Sequence, residues 1–171
     1  MLRVCLVPLL IAAAPLAAQP ANPLIDYPGF QRLSREVRPY RQSRLVDFAT
    51  FQRMAAQPGV LLLDARSESA FREGHIEGAV NLPLPDFNQE SLRRVIGRGD
   101  RPILIYCNNN FSNNAQPVPT KRFQLALNIQ TFINLYGYGY RNVHELGDVV
   151  DFNEPRVRWV RGPTPALASR E

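Results

Sequence analysis

The side chain in this sequence with the greatest capacity for chemistry is the thiol of Cys107. It directly follows the apolar run 103–106 (ILIY), which is typical of a buried strand, and it precedes a polar, asparagine-rich segment, residues 108–120. In open α/β sheets, ligands bind outside the carboxyl ends of the strands, where backbone N–H groups and a helix N-terminus can stabilise an anion. A reactive thiolate needs that environment. The position therefore predicts a nucleophile, and the alternative is a buried cysteine that only packs in the core.

Two cations close the asparagine-rich segment. Lys121 and Arg122 stand where we expect the next helix to begin, and there they could bind a sulfonate, a phosphate or an acidic side chain. A cation at a helix N-terminus opposes the helix dipole, which is a weak indication of an anionic ligand. The alternative is that both are ordinary solvated charges.

A second polar pair, Asp64 and Arg66, follows the apolar run 60–63, which we expect to be a strand. Asp64 should lie at the carboxyl end of this strand, at the same rim of the sheet as Cys107, where it could accept hydrogen bonds that order the loop. Arg66 is expected to pair with Glu68 or Glu73 and so to hold the following turn. We predict that Asp64 and Arg66 support the loop rather than react.

Neither histidine is predicted to take part in the chemistry of Cys107. His75 lies in a Gly-His-Ile turn and is expected to be a structural residue, and His144 falls in a predicted strand. Two separated histidines with one cysteine make a poor zinc site, so we predict no metal.

The first 18 residues predict that the chain is exported. A short basic start precedes an uncharged stretch, residues 4–18, that ends in small residues, as in a cleaved signal peptide. This stretch is shorter than the ~20 apolar residues of a spanning helix; an uncleaved anchor is the alternative. Cleavage after Ala18 would remove Cys5, leave Cys107 as the one cysteine and lower the formal net charge from +5 to +4. We expect a periplasmic or secreted protein without stable membrane insertion after cleavage, and its mild basicity does not indicate nucleic-acid binding.

The order of segments predicts how the candidate residues are held. Apolar runs of strand length alternate with segments of helix length, so the strands should pair in parallel through right-handed crossovers. This pattern predicts a three-layer α/β sandwich. The expected strands are 45–46, 60–63, 79–82, 103–106 and 143–146; the expected helices are 49–56, 67–72, 89–96 and a long one from residue 121 with apolar positions at Phe123, Leu127, Phe132 and Leu135.

The segment before the first strand is predicted to be an extended arm. Residues 19–43 are rich in proline, and their arginines recur at a spacing of three that could line one helix face. Pro39 argues against a continuous helix there. The expected organisation is a signal peptide at 1–18, an extended arm at 19–43, one domain at 44–162 and a tail at 163–171.

Four segments in this order resemble the rhodanese family. They are 61–66 (LLLDAR), 74–83 (GHIEGAVNLP), 103–107 (ILIYC) and 137–146 (GYGYRNVHEL). The resemblance extends over roughly residues 45–162. It implies a five-stranded parallel sheet in the order 1-5-4-2-3 with helices on both faces.

The resemblance also implies a reaction. A rhodanese cysteine attacks the outer sulfur of a donor such as thiosulfate, releases sulfite, and carries the sulfur as a persulfide to a thiophilic acceptor. The implied partners of Cys107 are a small sulfur-containing anion and a thiol or protein acceptor, and the reaction requires neither a metal nor an organic cofactor. Converging N–H groups and the next helix should then lower the pKa of the Cys107 thiol.

The loop after the cysteine departs from the family pattern. A typical rhodanese closes a tight cradle of a few residues, whereas thirteen residues, 108–120, separate Cys107 from Lys121 here. Asparagines favour turns and left-handed backbone geometry, and Asn108, Asn109 and Asn110 are candidate substrate-binding residues. The first residues could form an anion nest under a lid, or the cradle could be lost.

Three functions remain open. The first is an exported sulfurtransferase that uses Cys107. The second is a non-catalytic rhodanese-like module whose long loop contacts a partner. The third is a cysteine phosphatase or arsenate reductase, which normally needs an arginine six positions after the cysteine; Asn113 occupies that position and counts against it.

Overall fold

The computed structural model describes residues 22–97 and 100–162. The signal segment 1–18, residues 19–21 and the tail 163–171 lie outside the described residues. The strands are β1 (Leu45–Val46), β2 (Leu61–Asp64), β3 (His75–Ile76), β4 (Val80–Asn81), β5 (Ile103–Tyr106), β6 (Val143–Leu146) and β7 (Trp159–Val160). The helices are α1 (Tyr27–Gln42), α2 (Phe48–Ala55), α3 (Glu68–Glu73), α4 (Gln89–Ile96) and α5 (Leu127–Gly137).

The central sheet confirms the predicted fold. Five parallel strands run in the order β1-β6-β5-β2-β4, which is the order that the resemblance implied. Two hydrophobic cores cover the faces, one with the aromatic residues of α2 and α3, the other with residues of α1, α4 and α5. The protein is therefore a three-layer α/β sandwich, to which β3 and β7 add a small antiparallel pair.

The two central strands position the candidate site. β2 and β5 are buried throughout, as their continuous apolar sequences predict, and Asp64 pairs in register with Tyr106. The carboxyl end of β2 therefore lies beside Cys107. Ser67 caps α3, because its hydroxyl accepts the N–H of Ala70 at 3.3 Å.

The predicted extended arm is wrong within the described residues, because 27–42 form the helix α1. Asp26 caps its N-terminus by accepting the N–H of Gly29 at 2.8 Å, and Pro28 lies in the first turn, where no N–H is needed. Pro39 is tolerated near the other end because the helix packs against α5 and buries Val37. Packing of an amphipathic face outweighs the local cost of one proline.

The predicted start of the last helix is also wrong. α5 begins at Leu127 rather than at residue 121, and Phe123–Leu125 form a short 3-10 turn in which the Phe123 side chain is 80% exposed. The reason is a contact with the loop: the Asn109 side chain donates to the carbonyl of Lys121 at 2.9 Å and accepts its N–H at 3.1 Å. These bonds hold the backbone of Lys121 in the loop.

None of the helices within residues 22–97 and 100–162 combines the length and the apolar sequence that crossing a bilayer requires.

Candidate active site at the end of β5

Cys107 lies at the meeting point of β5 and α5. Its backbone is still extended, and the alternation of a strand points its side chain to the face of the sheet that α5 covers. The backbone N–H groups of Asn109, Leu127 and Asn128 act on its sulfur and lower the pKa of the thiol. Two of these donors belong to the first turn of α5, where the helix dipole favours a negative charge. The inserted loop has therefore split an anion cradle into two halves without removing it.

Burial dominates the electrostatics of this thiol. Cys107 is 1% exposed, and loss of solvation raises the pKa of its thiol above the ordinary value. The N–H groups of Asn128, Asn109 and Leu127 lower that pKa, and the charge of Glu145 raises it. The expectation of a lowered pKa is therefore wrong for this closed arrangement, because the desolvation of the thiolate exceeds the gain from the N–H groups.

We expect native Cys107 to react slowly with small alkylating agents. Burial and the raised pKa both reduce the available thiolate, so labelling by iodoacetamide at pH 8 should be roughly tenfold slower or more than in the urea-unfolded chain. The native rate should then climb as the pH passes the ordinary range of a thiol. Intact mass spectrometry of both states measures the two rates. Equal native and unfolded rates would contradict the closed arrangement.

Asn110 ties the two halves of the cradle together. Its side-chain oxygen accepts the N–H of Cys107 at 2.9 Å and the side-chain amide of Asn128 at 3.0 Å. Its nitrogen donates to the carbonyls of Leu146 at 2.8 Å and Asp148 at 3.0 Å. The structure brings Asn110 to the site, but both ends of its amide are engaged by the protein. The sequence predicted a substrate contact for Asn110, whereas these bonds place its side chain to position the loop.

A cleft of about 620 Å³ adjoins the cysteine. Asn108 and Leu127, which flank the cradle, line it together with Lys121 and Arg66. Cys107 lies behind this wall and does not line the cleft itself. Of the two predicted cations, Lys121 thus faces the cleft, whereas Arg122 is exposed outside it.

Specific contacts order the long loop. The side chain of Asn113 accepts the N–H of Phe152 at 3.0 Å and donates to Asp151 at 2.6 Å. Asn114 takes the left-handed geometry that the sequence predicts for such residues, with φ 44°. Val118 is fully buried in the core beneath the loop. The loop is therefore packed against the domain, with Val118 in the core on the face that α2 and α3 cover.

Asp64 and Arg66 form a buried ion pair that reaches this loop. The guanidinium of Arg66 contacts both carboxylate oxygens, at 2.6 Å for the shortest pair, and Tyr106 donates its hydroxyl to the same carboxylate at 2.7 Å. Arg66 also donates to the carbonyls of Gly74 at 2.7 Å and Pro117 at 3.3 Å. The expected pairing of Arg66 with an acidic residue of α3 is wrong, because Asp64 occupies its guanidinium.

His75 is a structural residue, as its turn sequence indicates. Its ring is buried, stacks on Phe71 at 3.7 Å and hydrogen-bonds through Nδ1 to the carbonyl of Phe71 at 2.8 Å. Burial lowers the pKa of His75, which favours the neutral ring.

Sequence reasoning missed three polar residues near the cradle. Asn128 contributes both its backbone N–H and its side chain, Glu145 is 4% exposed on β6, and Arg41 of α1 pairs with Glu145. Glu145 could have been recognised from the sequence, because a carboxylate that faces the core from a central strand needs a buried partner. The partner could not be identified because Arg41 lies 104 positions away.

Comparison with known proteins adds a family match. A family model described as Rhodanese-like domain matches residues 47–147. Thiosulfate sulfurtransferase GlpE of Shewanella oneidensis is 36% identical over 62 residues, which are 35% of this chain and 56% of that protein. The protein YqhL of Bacillus subtilis is 41% identical over 49 residues, which are 29% of this chain and 36% of that protein. The matches thus span no more than 56% of the length of these curated relatives.

Among solved structures, a rhodanese with anions from E. coli is 20% identical to this chain, with a TM-score of 0.41. That similarity covers 60% of this chain and 99% of that one.

Proposed function

This chain belongs to the rhodanese-like domain family, and from that premise we propose that it is a sulfurtransferase in which Cys107 carries sulfur as a persulfide. The observation that carries the proposal is the placement of Cys107 at the end of β5 beside the first turn of α5, where the backbone N–H groups of Asn128, Asn109 and Leu127 lower the pKa of its thiol. Preorganised donors aimed at a site of developing charge are the main means of stabilising an anionic intermediate. An inert core cysteine has no need of them.

The proposed reaction has two displacements. The Cys107 thiolate attacks the outer sulfur of thiosulfate or a similar donor; a new S–S bond forms, the S–S bond of the donor breaks, and sulfite leaves with the electron pair. The persulfide then gives its outer sulfur to the thiolate of a small-molecule or protein acceptor, and Cys107 leaves as a thiolate. Cys107 is thus a thiolate when it attacks the donor and again when it leaves the acceptor, and the N–H groups of the cradle stabilise that charge.

The cleft beside the cradle is the proposed path to the sulfur. Lys121 would attract the anionic end of the donor, and Asn108 and Leu127 would have to shift for the donor to reach Cys107. Arg122, exposed next to Lys121, would add to the positive charge at the entrance. The donor is therefore expected to bind weakly and to depend on opening of the loop.

Mass spectrometry tests the persulfide directly. After incubation with thiosulfate, the intact protein should gain the mass of one sulfur atom, and the Cys107→Ser variant should gain none. The adduct should disappear when a small thiol is added, because the thiol accepts the outer sulfur. Absence of the adduct with thiosulfate and with an organic persulfide would overturn the proposal.

We further propose that the protein acts outside the cytoplasm, in the periplasm or as a secreted protein, on the basis of the signal-like sequence of residues 1–18. Cleavage would leave a chain that begins at Gln19. Sequencing of the N-terminus of the protein purified from its native host should find Gln19 or a neighbouring residue. A retained Met1 would contradict export by this route.

The second candidate function is a non-catalytic binding module. One observation favours it: Cys107 is 1% exposed, and it does not line the neighbouring cleft. The two functions differ in the mass experiment, since a module would take up no sulfur even at pH values high enough to ionise the thiol. Its expected partner would contact the exposed part of the loop, residues 112 and 114–116.

A further inference from the structure

A buried carboxylate lies beside Cys107 on the neighbouring strand. Glu145 of β6 is paired in register with Ile105 of β5, and Cys107 is two residues beyond Ile105. Side chains two residues apart on a strand point to the same face, so Glu145 and Cys107 face the same layer, with Cα atoms roughly 8 Å apart in regular strand geometry. The Glu145 side chain is only 5% exposed. Its negative charge opposes the formation of an anionic sulfur at Cys107.

Arg41 of α1 neutralises this carboxylate. Its Nε atom donates to Oε2 of Glu145 at 2.5 Å, and Nη2 donates to Oε1. Such a two-bonded pair fixes both the position and the charge of the acid. The Arg41 side chain is 29% exposed, so it reaches the buried acid from the surface of the domain.

Few other charges face this part of the site among the described residues. The helix α5 has no ionisable side chain on the face toward Cys107, since its sequence LNIQTFINLYG contains no acid or base and its one tyrosine points toward α1. His144 is adjacent to Glu145 on β6 and therefore points to the opposite face. The ion pair of Asp64 and Arg66 lies across the sheet, with Tyr106. Lys121 is exposed on the loop.

We propose that Arg41 is a positioning residue of the active site, which offsets the charge of Glu145 and so permits an anionic sulfur at Cys107. This inference rests on the proposed role of Cys107 as a sulfur carrier. It makes α1, which precedes the family-matched residues 47–147, a part of the functional unit rather than an appendage. Loss of Arg41 would leave the carboxylate buried and unpaired next to the reacting sulfur.

The test is a titration of the Cys107 thiolate. Thiolate absorbance in the far ultraviolet is recorded against pH, with the Cys107→Ser variant of each protein as the blank, so that Cys5 and the tyrosines cancel. At pH 8, Arg41→Gln should lower the thiolate fraction roughly tenfold, because one uncompensated charge now acts across the site. Glu145→Gln should raise the fraction by a similar factor. Arg41→Lys should stay within about twofold of the natural protein, since the charge is kept.

Two further variants keep the test decisive. Arg38→Gln removes an exposed arginine one turn earlier on α1 and should leave the titration unchanged. The double variant Arg41→Gln with Glu145→Gln carries neither charge and should return to within about threefold of the natural protein, even if Arg41→Gln alone does not fold. The inference is overturned if Glu145→Gln titrates like the natural protein, or if Arg38→Gln shifts the titration as much as Arg41→Gln. No sulfur donor is needed, so failure of sulfur transfer and failure of this inference are separate results.

Discussion

Replacing Arg66 by methionine is expected to lower the free energy of unfolding by roughly 3–5 kcal/mol, because it leaves Asp64 charged, buried and without its cation. Asp64 is fully buried and Arg66 is 2% exposed, so solvent cannot take the place of either partner. The variant also strands the carbonyls of Gly74 and Pro117, which accept from the guanidinium. Urea unfolding followed by circular dichroism measures the change.

A matched control separates burial from charge. Arg72→Met removes the same side chain from an ion pair with Glu68 that is exposed, with 62% and 65% of the two side chains accessible. Exposed pairs at this helical spacing contribute only about 0.3–0.5 kcal/mol. A loss at Arg66 no larger than that at Arg72 would show that the buried pair does not hold β2, β5 and the loop together.

The double variant Asp64→Asn with Arg66→Met tests the same pair in another way. Removing both charges avoids an unpaired ion, so we expect it to be more stable than Arg66→Met alone. The remaining deficit then reports the hydrogen bonds that Arg66 donates to the carbonyls of Gly74 and Pro117, because an amide oxygen at position 64 can still accept from Tyr106.

Those elements of the fold that depend on local signals could be predicted from the sequence. The bounds of β5, β6 and α4 were predicted to the residue. Continuous apolar runs determine the two strands locally, and in the structure Asn88 caps the start of α4. The parallel order of the five strands came from the family resemblance and agrees with the structure.

The elements that sequence reasoning missed depend on long-range contacts. Pro39 locally disfavours a helix, but the sequence near it does not indicate that α1 buries Val37 against α5. The apolar spacing after residue 121 resembles a helix, yet the two bonds between Asn109 and Lys121 delay its start to Leu127. In the same way, Cys107 could be identified from its strand. The N–H groups around it could not, because two of them belong to the first turn of α5, whose position depends on how the inserted loop folds.

The Asn110 side chain links Cys107 to the first turn of α5, and we expect Asn110→Asp to disturb this contact more than other changes in the loop. The new carboxyl keeps the acceptor for the N–H of Cys107 and for Asn128, but it loses the two N–H donors that face the carbonyls of Leu146 and Asp148. A buried carboxylate would then face two carbonyl oxygens. We expect a loss of roughly 2–4 kcal/mol in the free energy of unfolding at neutral pH.

The pH dependence of this loss has a definite sign. Burial against carbonyl oxygens raises the pKa of the introduced carboxyl in the folded state above its unfolded value. The folded state then binds the proton more tightly, so the deficit relative to the natural protein should be small in acid and should grow as the pH rises through the titration of that group. Unfolding by urea at a series of pH values measures it. A deficit that is constant with pH would exclude a buried charge at this position.

Asn114→Asp is the matched control, because it makes the same chemical change in the same loop at an exposed residue whose oxygen accepts the N–H of Thr120. Its effect on stability should lie within about 0.5 kcal/mol.

The charge introduced by Asn110→Asp should also oppose ionisation of Cys107 and slow persulfide formation roughly tenfold, while the control variant Asn114→Asp forms persulfide at the rate of the natural protein. Equal rates in the two variants would mean that Asn110 orders the loop without influencing the sulfur. A slower rate in Asn110→Asp alone would mean that Asn110 connects the long loop to the ionisation of Cys107 at the end of β5.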